Sequence, residues 1–248
     1  MGQIGEAARL SDPQCFPKSG PSVDIAQQAT PCFLVTVDTE EEFDWSASFS
    51  RDRHGLTHLK AIEPFQKLCE RNGVKPVYLL DYPVAQDGFG AELFADWVRS
   101  NVAEVGLQLH PWVTPPFDEE VNVHNSYACN LAPELERAKL FALYELVEKK
   151  IGCHPDSYRA GRYGAGAHTP DILVELGVRV DSSVRSLFDY HSQGGPNYAR
   201  CPLEPYWARP GKLIELPVTS LFGGVFRSMG PLLFDPVFGS ETMRSLLA

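Results

Sequence analysis

Cys32-Phe33-Leu34-Val35-Thr36-Val37-Asp38-Thr39-Glu40-Glu41-Glu42-Phe43-Asp44-Trp45 runs a short apolar stretch straight into five carboxylates. The first six residues are continuous, apolar and rich in β-branched side chains, which predicts a strand buried on both faces. Asp38 then marks its C-terminal end. Two readings of the acids compete: a solvated turn with Asp38 as a helix N-cap, or the mouth of an α/β barrel, where strand ends carry the chemistry. With Asp38 and Glu40 two apart, one carboxylate can bind a metal while the other takes a proton from water.

Outward from this segment, helical and extended patterns alternate. A helix is predicted over 58–71, a strand over 74–80, a helix over 91–100 and a strand over 104–109. Pro133 to Ile151 is the clearest helix, with Leu135, Ala138, Ala142, Leu146 and Val147 at helical spacing, Pro133 in the first turn and Gly152 at the C-cap. A strand at 157–159, a helix at 170–176 and strands at 178–183 and 213–218 follow. Such alternation predicts parallel βα units. Residues 1–30 lack periodicity and read as a flexible N-terminal arm, leaving 31–248 as one (β/α) barrel. The terminal Ser-Glu-Thr-Met-Arg-Ser-Leu-Leu-Ala segment, with Ser240 as N-cap, predicts a helix at which the chain stops. A barrel ending there has an unpaired edge: either a second copy covers it in a homo-oligomer, or the barrel is incomplete at its C-terminus.

Three further motifs also fall at strand ends. Glu104-Val105-Gly106-Leu107-Gln108-Leu109-His110-Pro111-Trp112 places His110 at the start of a proline-rich loop. Ser157-Tyr158-Arg159-Ala160-Gly161-Arg162-Tyr163-Gly164 sets two arginines three apart in a glycine-rich loop, where guanidinium groups can orient a carboxylate. Asp181 ends the strand of Val180-Asp181-Ser182-Ser183 and is expected either to pair with Arg159 or Arg162 or to cap the next turn. Trp45, Trp112, Tyr127 and Tyr163 near the mouth suit stacking on sugar faces, although aromatics at strand ends also serve as core filler.

A chain of 248 residues with 44% hydrophobic content is long enough for one barrel-sized domain. Its formal charge of −10 excludes nucleic acid as the expected partner and suits a neutral or cationic substrate. The N-terminus has no signal-peptide core and no apolar stretch reaches bilayer length, so the expected location is cytoplasmic, without a membrane span. The six cysteines form no CxxC or CxxH pair and read as reduced thiols.

In order, VDTEEEFDW, EVGLQLHPWVTPP, YRAGRYG, VDSSV and LIELPVT resemble the motifs of NodB-type polysaccharide deacetylases, and among these the WalW-like branch, over residues 32 to 220. The resemblance implies a distorted (β/α) barrel that removes N-acetyl groups from amino sugars of a surface polysaccharide with a divalent metal, zinc-like. It assigns Asp38 as general base, Arg159 as its orienting partner, Asp181 as a further catalytic carboxylate, and Trp112, Arg162 and Tyr163 to the substrate. Glu40 and His110, with Gln108 where the branch has the first histidine of His-x-His, would hold the metal. Thr39 stands where many members have a metal-binding Asp, and no histidine follows His191 to serve as the family's terminal general acid. Two other outcomes are compatible with these departures: a catalytically impaired barrel that binds a sugar or a partner, and a small cyclic-amide hydrolase on the same fold.

Overall fold

The computed structural model describes residues 16–17, 19–23 and 33–218. A seven-stranded sheet organises them: β1 (Thr36–Thr39), β2 (Val77–Leu80), β3 (Glu104–Leu109), β4 (Ser157–Ala160), β5 (Val180–Asp181), β6 (Tyr206–Arg209) and β7 (Leu213–Glu215), in the order β1-β2-β3-β4-β5-β7-β6. Neighbours from β1 through β5 to β7 are parallel, and β6 returns antiparallel on β7. Parallel neighbours need crossovers. These contain α1 (Glu63–Arg71), α2 (Tyr82–Gln86), α3 (Gly88–Arg99), α4 (Pro133–Ile151) and α5 (Thr169–Glu175). The alternation is therefore real, and α4 has the bounds that its periodicity predicts, closed by Gly152 in the left-handed conformation at φ 79.

One expectation needs correction. The first strand is not buried on both faces: Phe33 is 80% and Leu34 63% exposed, whereas in β2 Tyr78, Leu79 and Leu80 are between 0% and 1% exposed. Among the described residues β1 has a ladder on one side only, and no ladder joins it to β6. The extra strand β6 escapes sequence reading because Tyr206-Trp207-Ala208-Arg209 is too short for an alternation signal. The helix expected after Ser240 lies outside the described residues.

At the other edge, the N-terminal chain covers β6. Ser22 bridges Tyr206, Trp207 N donates to the Pro21 carbonyl at 2.9 Å, and Tyr206 Oη donates to the Pro17 carbonyl at 2.7 Å, while Phe16 is buried beneath. These contacts fall inside the segment expected to be a loose arm and hold this part of it against the sheet.

Candidate active site

The five acids from Asp38 in β1 to Asp44 have five different environments. Asp38 accepts a hydrogen bond from Arg159 Nη1 at 2.5 Å. Glu40 stands at the rim, its Oε2 accepting from Gln108 Nε2 at 2.8 Å. Glu41 turns inward and is 3% exposed. Glu42 faces out and takes bonds from Thr57 and His58, and Asp44 closes a local turn on Ser46. Thr39 is buried and donates back to the Val37 carbonyl, so it is turned away from the acids. A single sequence feature thus becomes an arginine-bonded carboxylate, a rim carboxylate and a buried anchor because alternate residues along an extended chain point to different sides.

Arg159 is fixed by more than Asp38. Its Nε donates to the Ser182 carbonyl at 3.0 Å, and Nη2 donates to Thr36 Oγ1 at 3.0 Å and Ser182 Oγ at 3.1 Å. The guanidinium therefore spans β1, β4 and the residue after β5, and it delivers one N–H to Asp38 in a set direction.

His110 ends β3 fully buried. Its Nδ1 lies 2.7 Å from Glu41 Oε2, the geometry of an Nδ1–H donating to a carboxylate, and Trp112 Nε1 donates to the other Glu41 oxygen at 2.9 Å. Glu41 is anchored in turn by its backbone N–H on Asp81 Oδ2 at 2.7 Å, while Asp81 Oδ1 caps α2 through Val84 N at 2.9 Å. Burial alone would push the His110 pKa down, but the Glu41 and Glu40 carboxylates outweigh it and hold it well above the ordinary value. The same imidazolium overrides burial at Glu41 and holds its carboxyl at about 2. Asp81, buried beside the Glu41 charge, is pushed up.

Two sets of atoms present themselves as metal ligands. Glu41, Asp81 and His110 offer ligand atoms within 4.8 Å of one another. Each of their carboxylate oxygens, however, already accepts the bond described above. On the cavity side of His110 the situation is reversed: His110 Nε2 and Gln108 Oε1 are both buried without a hydrogen-bond partner. Nε2 lies 3.1 Å from Glu40 Oε2 but is not directed at it as a hydrogen bond. Buried unpaired polar atoms are costly, and a cation beside Glu40 Oε2 would satisfy both. The set Glu40, Gln108 and His110 therefore fits a divalent ion, with Glu41 holding the histidine tautomer from behind in the manner common to metal-ligating histidines. Gly161 is required here because a Cβ on it would lie 2.2 Å from His110 Cδ2.

Asp38, Glu40, Gln108, Arg159, Arg162 and Tyr163 all line one cavity of about 290 Å³ at the C-terminal ends of the strands. Arg162 and Tyr163 adopt left-handed backbone at φ 55 and 59, a conformation that costs non-glycine residues about 1–3 kcal/mol each. Trp45, Tyr127, Tyr190 and Gln193 complete the walls.

Two predicted site residues lie elsewhere. Trp112 is 2% exposed and stacks on His110 with centroids 4.4 Å apart, so it backs the histidine and offers no face to a sugar. Asp181 pairs with neither arginine: it is 0% exposed, accepts from Ser183 Oγ at 2.5 Å, and burial raises its pKa to about 6 beside Glu215. The arginine is already taken by Asp38, and the β5 side chain points into the interior. Sequence reading missed Glu41 as the histidine's partner and also missed Asp81 and Gln193. For Asp81 a signal existed, since it ends the Val77-Tyr78-Leu79-Leu80 strand just before Pro83.

Solved structures that resemble this chain include two at low sequence identity. A putative polysaccharide deacetylase from Mycobacterium smegmatis aligns at 21% identity with a TM-score of 0.47, covering 68% of this chain and 51% of its own. IcaB from Ammonifex degensii aligns at 13% identity with a TM-score of 0.45, covering 80% of this chain and 71% of its own. The chain thus spans about half the length of the first. No protein-family model and no curated protein matches it.

Proposed function

We propose that this chain is a metal-dependent hydrolase that removes N-acetyl groups from amino sugars of a surface polysaccharide or its precursor, acting in the cytoplasm. One observation carries the reading: the Asp38–Arg159 pair, Glu40 and Gln108 line one cavity, and the buried His110 Nε2, which has no hydrogen-bond partner, lies 3.1 Å from Glu40 Oε2 behind it. These are the positions to which the resemblance to NodB-type enzymes assigns base and metal ligands. A divalent ion held by Glu40, Gln108 and His110 would polarise an amide carbonyl and acidify water. The chain's own groups do the rest. Asp38, oriented by Arg159, accepts the proton of the attacking water at the oxygen not bonded to the guanidinium. Glu41 keeps the His110 Nδ1 proton in place, so that Nε2 is left for an ion beside Glu40 Oε2, 3.1 Å away. Tyr163 and Tyr190 line the same cavity and supply the aromatic surface a sugar would meet there.

The test is acetate release from N-acetylglucosamine oligomers by zinc- or cobalt-loaded protein, together with metal content. Asp38→Asn should cut the rate by about 100-fold or more while leaving metal content unchanged. Protein that holds no stoichiometric metal and releases no acetate would sink the reading. The Gln108 amide, donating to Glu40 where the related branch has an imidazole, favours one alternative, a sugar-binding barrel without turnover. Sugar binding with metal absent and no acetate released would establish it.

A further inference from the structure

We infer that the cavity beside Asp38 selects a sugar carrying an anionic group, a carboxylate or a phosphate, which Arg162 and Arg185 hold together; this rests on the reading that the cavity binds a sugar. The chain as a whole has a formal charge of −10, yet Arg159, Arg162 and Arg185 converge on this one cavity. The two acids that share it are engaged, Asp38 by Arg159 and Glu40 by Gln108. Of the three cavity arginines, Arg159 is ion-paired with Asp38, whereas Arg162 and Arg185 form no ion pair among the described residues.

Both guanidinium groups are clamped by rings. Arg162 Cζ lies 3.9 Å from the Tyr127 ring centroid, and Arg185 Cζ lies 3.7 Å from that of Phe188. Stacking fixes the guanidinium planes and leaves their N–H edges free to donate. Arg185 spends one N–H on Tyr190 Oη at 3.3 Å. Arg162 bonds Ser126 Oγ, and its Nη2 reaches Gln193 Oε1 at 3.1 Å, all neutral acceptors. A partly buried cation without a carboxylate pays desolvation that neutral acceptors only partly return. Burial accordingly lowers the Arg162 pKa. Left-handed backbone at both Arg162 and Tyr163 presents these side chains at a conformational cost. A neutral sugar needs none of this, but an anionic substituent supplies the missing counter-charge and fits the guanidinium edges.

Calorimetric titration in EDTA with glucuronate, glucose 1-phosphate and glucose tests the inference without metal or hydrolysis. At least one charged sugar should bind about tenfold more tightly than glucose, with a preference that shrinks as salt rises. Glucuronate alone would assign a carboxylate, and glucose 1-phosphate alone a phosphate. Arg185→Gln should erase the preference, while Arg185→Lys should keep part of it. Arg162→Gln should act alike, and thermal melting identifies either variant that fails to fold, in which case the other decides. Equal affinity for charged and neutral sugars, or no binding of either charged sugar, would overturn the inference. Acetate release from neutral oligomers would be untouched by that result, and loss of acetate release would leave a charge preference standing.

Discussion

Glu41 keeps its charge at 3% exposure because His110, Trp112 and the chain's own amides surround it. It sets the direction of the histidine ring, and the metal affinity of the site should depend on it although both of its carboxylate oxygens are occupied by His110 and Trp112. Glu41→Gln is expected to weaken zinc binding by about 10- to 100-fold, measured by competition with a chromophoric chelator. Gln108 argues the other way. An amide oxygen is a poorer zinc ligand than an imidazole, so Gln108→His should tighten binding by about tenfold in the same assay. If both variants bind zinc as the parent does, the metal lies elsewhere.

At the scale of elements, α4 does more than cover the sheet. Its Lys139 is buried and donates to the carbonyls of Pro111 at 3.0 Å, Thr114 at 2.6 Å and Pro116 at 2.6 Å, with Glu119 as counter-ion at 2.9 Å. One side chain of the helix thus ties down the loop that begins at His110. Burial lowers the Lys139 pKa, yet the Glu119 carboxylate beside it is almost equally buried. Removing one partner of such a pair strands the other. Lys139→Met should therefore cost about 3–5 kcal/mol of stability by urea unfolding; a loss below about 1 kcal/mol would mean that water reaches Glu119.

The molecule as a whole carries buried acids where its strands converge. Asp181 and Glu215 face each other in the β5–β7 ladder, and burial raises both, Asp181 to about 6 and Glu215 well above its ordinary value. A raised carboxyl binds more protons folded than unfolded, so its contribution is fully present below the ordinary value of 3.8 and is lost as pH climbs through about 6. Asp181→Asn removes that penalty. Its melting temperature should exceed the parent's at pH 8 and match or fall below it near pH 4. A pH-independent difference would show that the pair is hydrated in the folded state.

Period and punctuation in the chain were enough for the α/β alternation, for α4 to the residue, and for the strand ends at which Asp38, His110 and Arg159 stand, because these are local signals. That Asp38, Glu40, Arg159, Arg162 and Tyr163 line one cavity was legible for the same reason, since polar groups after apolar strands collect at one end of a parallel sheet, whereas Gln108 stood out only through the family resemblance. Partner choice was not legible. Whether Arg159 meets Asp38 or Asp181, whether Trp112 faces a sugar or backs a histidine, and which of five adjacent acids goes inward depend on strand register and on contacts 40 to 121 residues apart in sequence. Such contacts leave no trace in local periodicity. The order of the described strands is of the same kind, since a strand's pattern reports which faces are apolar and not which edges find a neighbour.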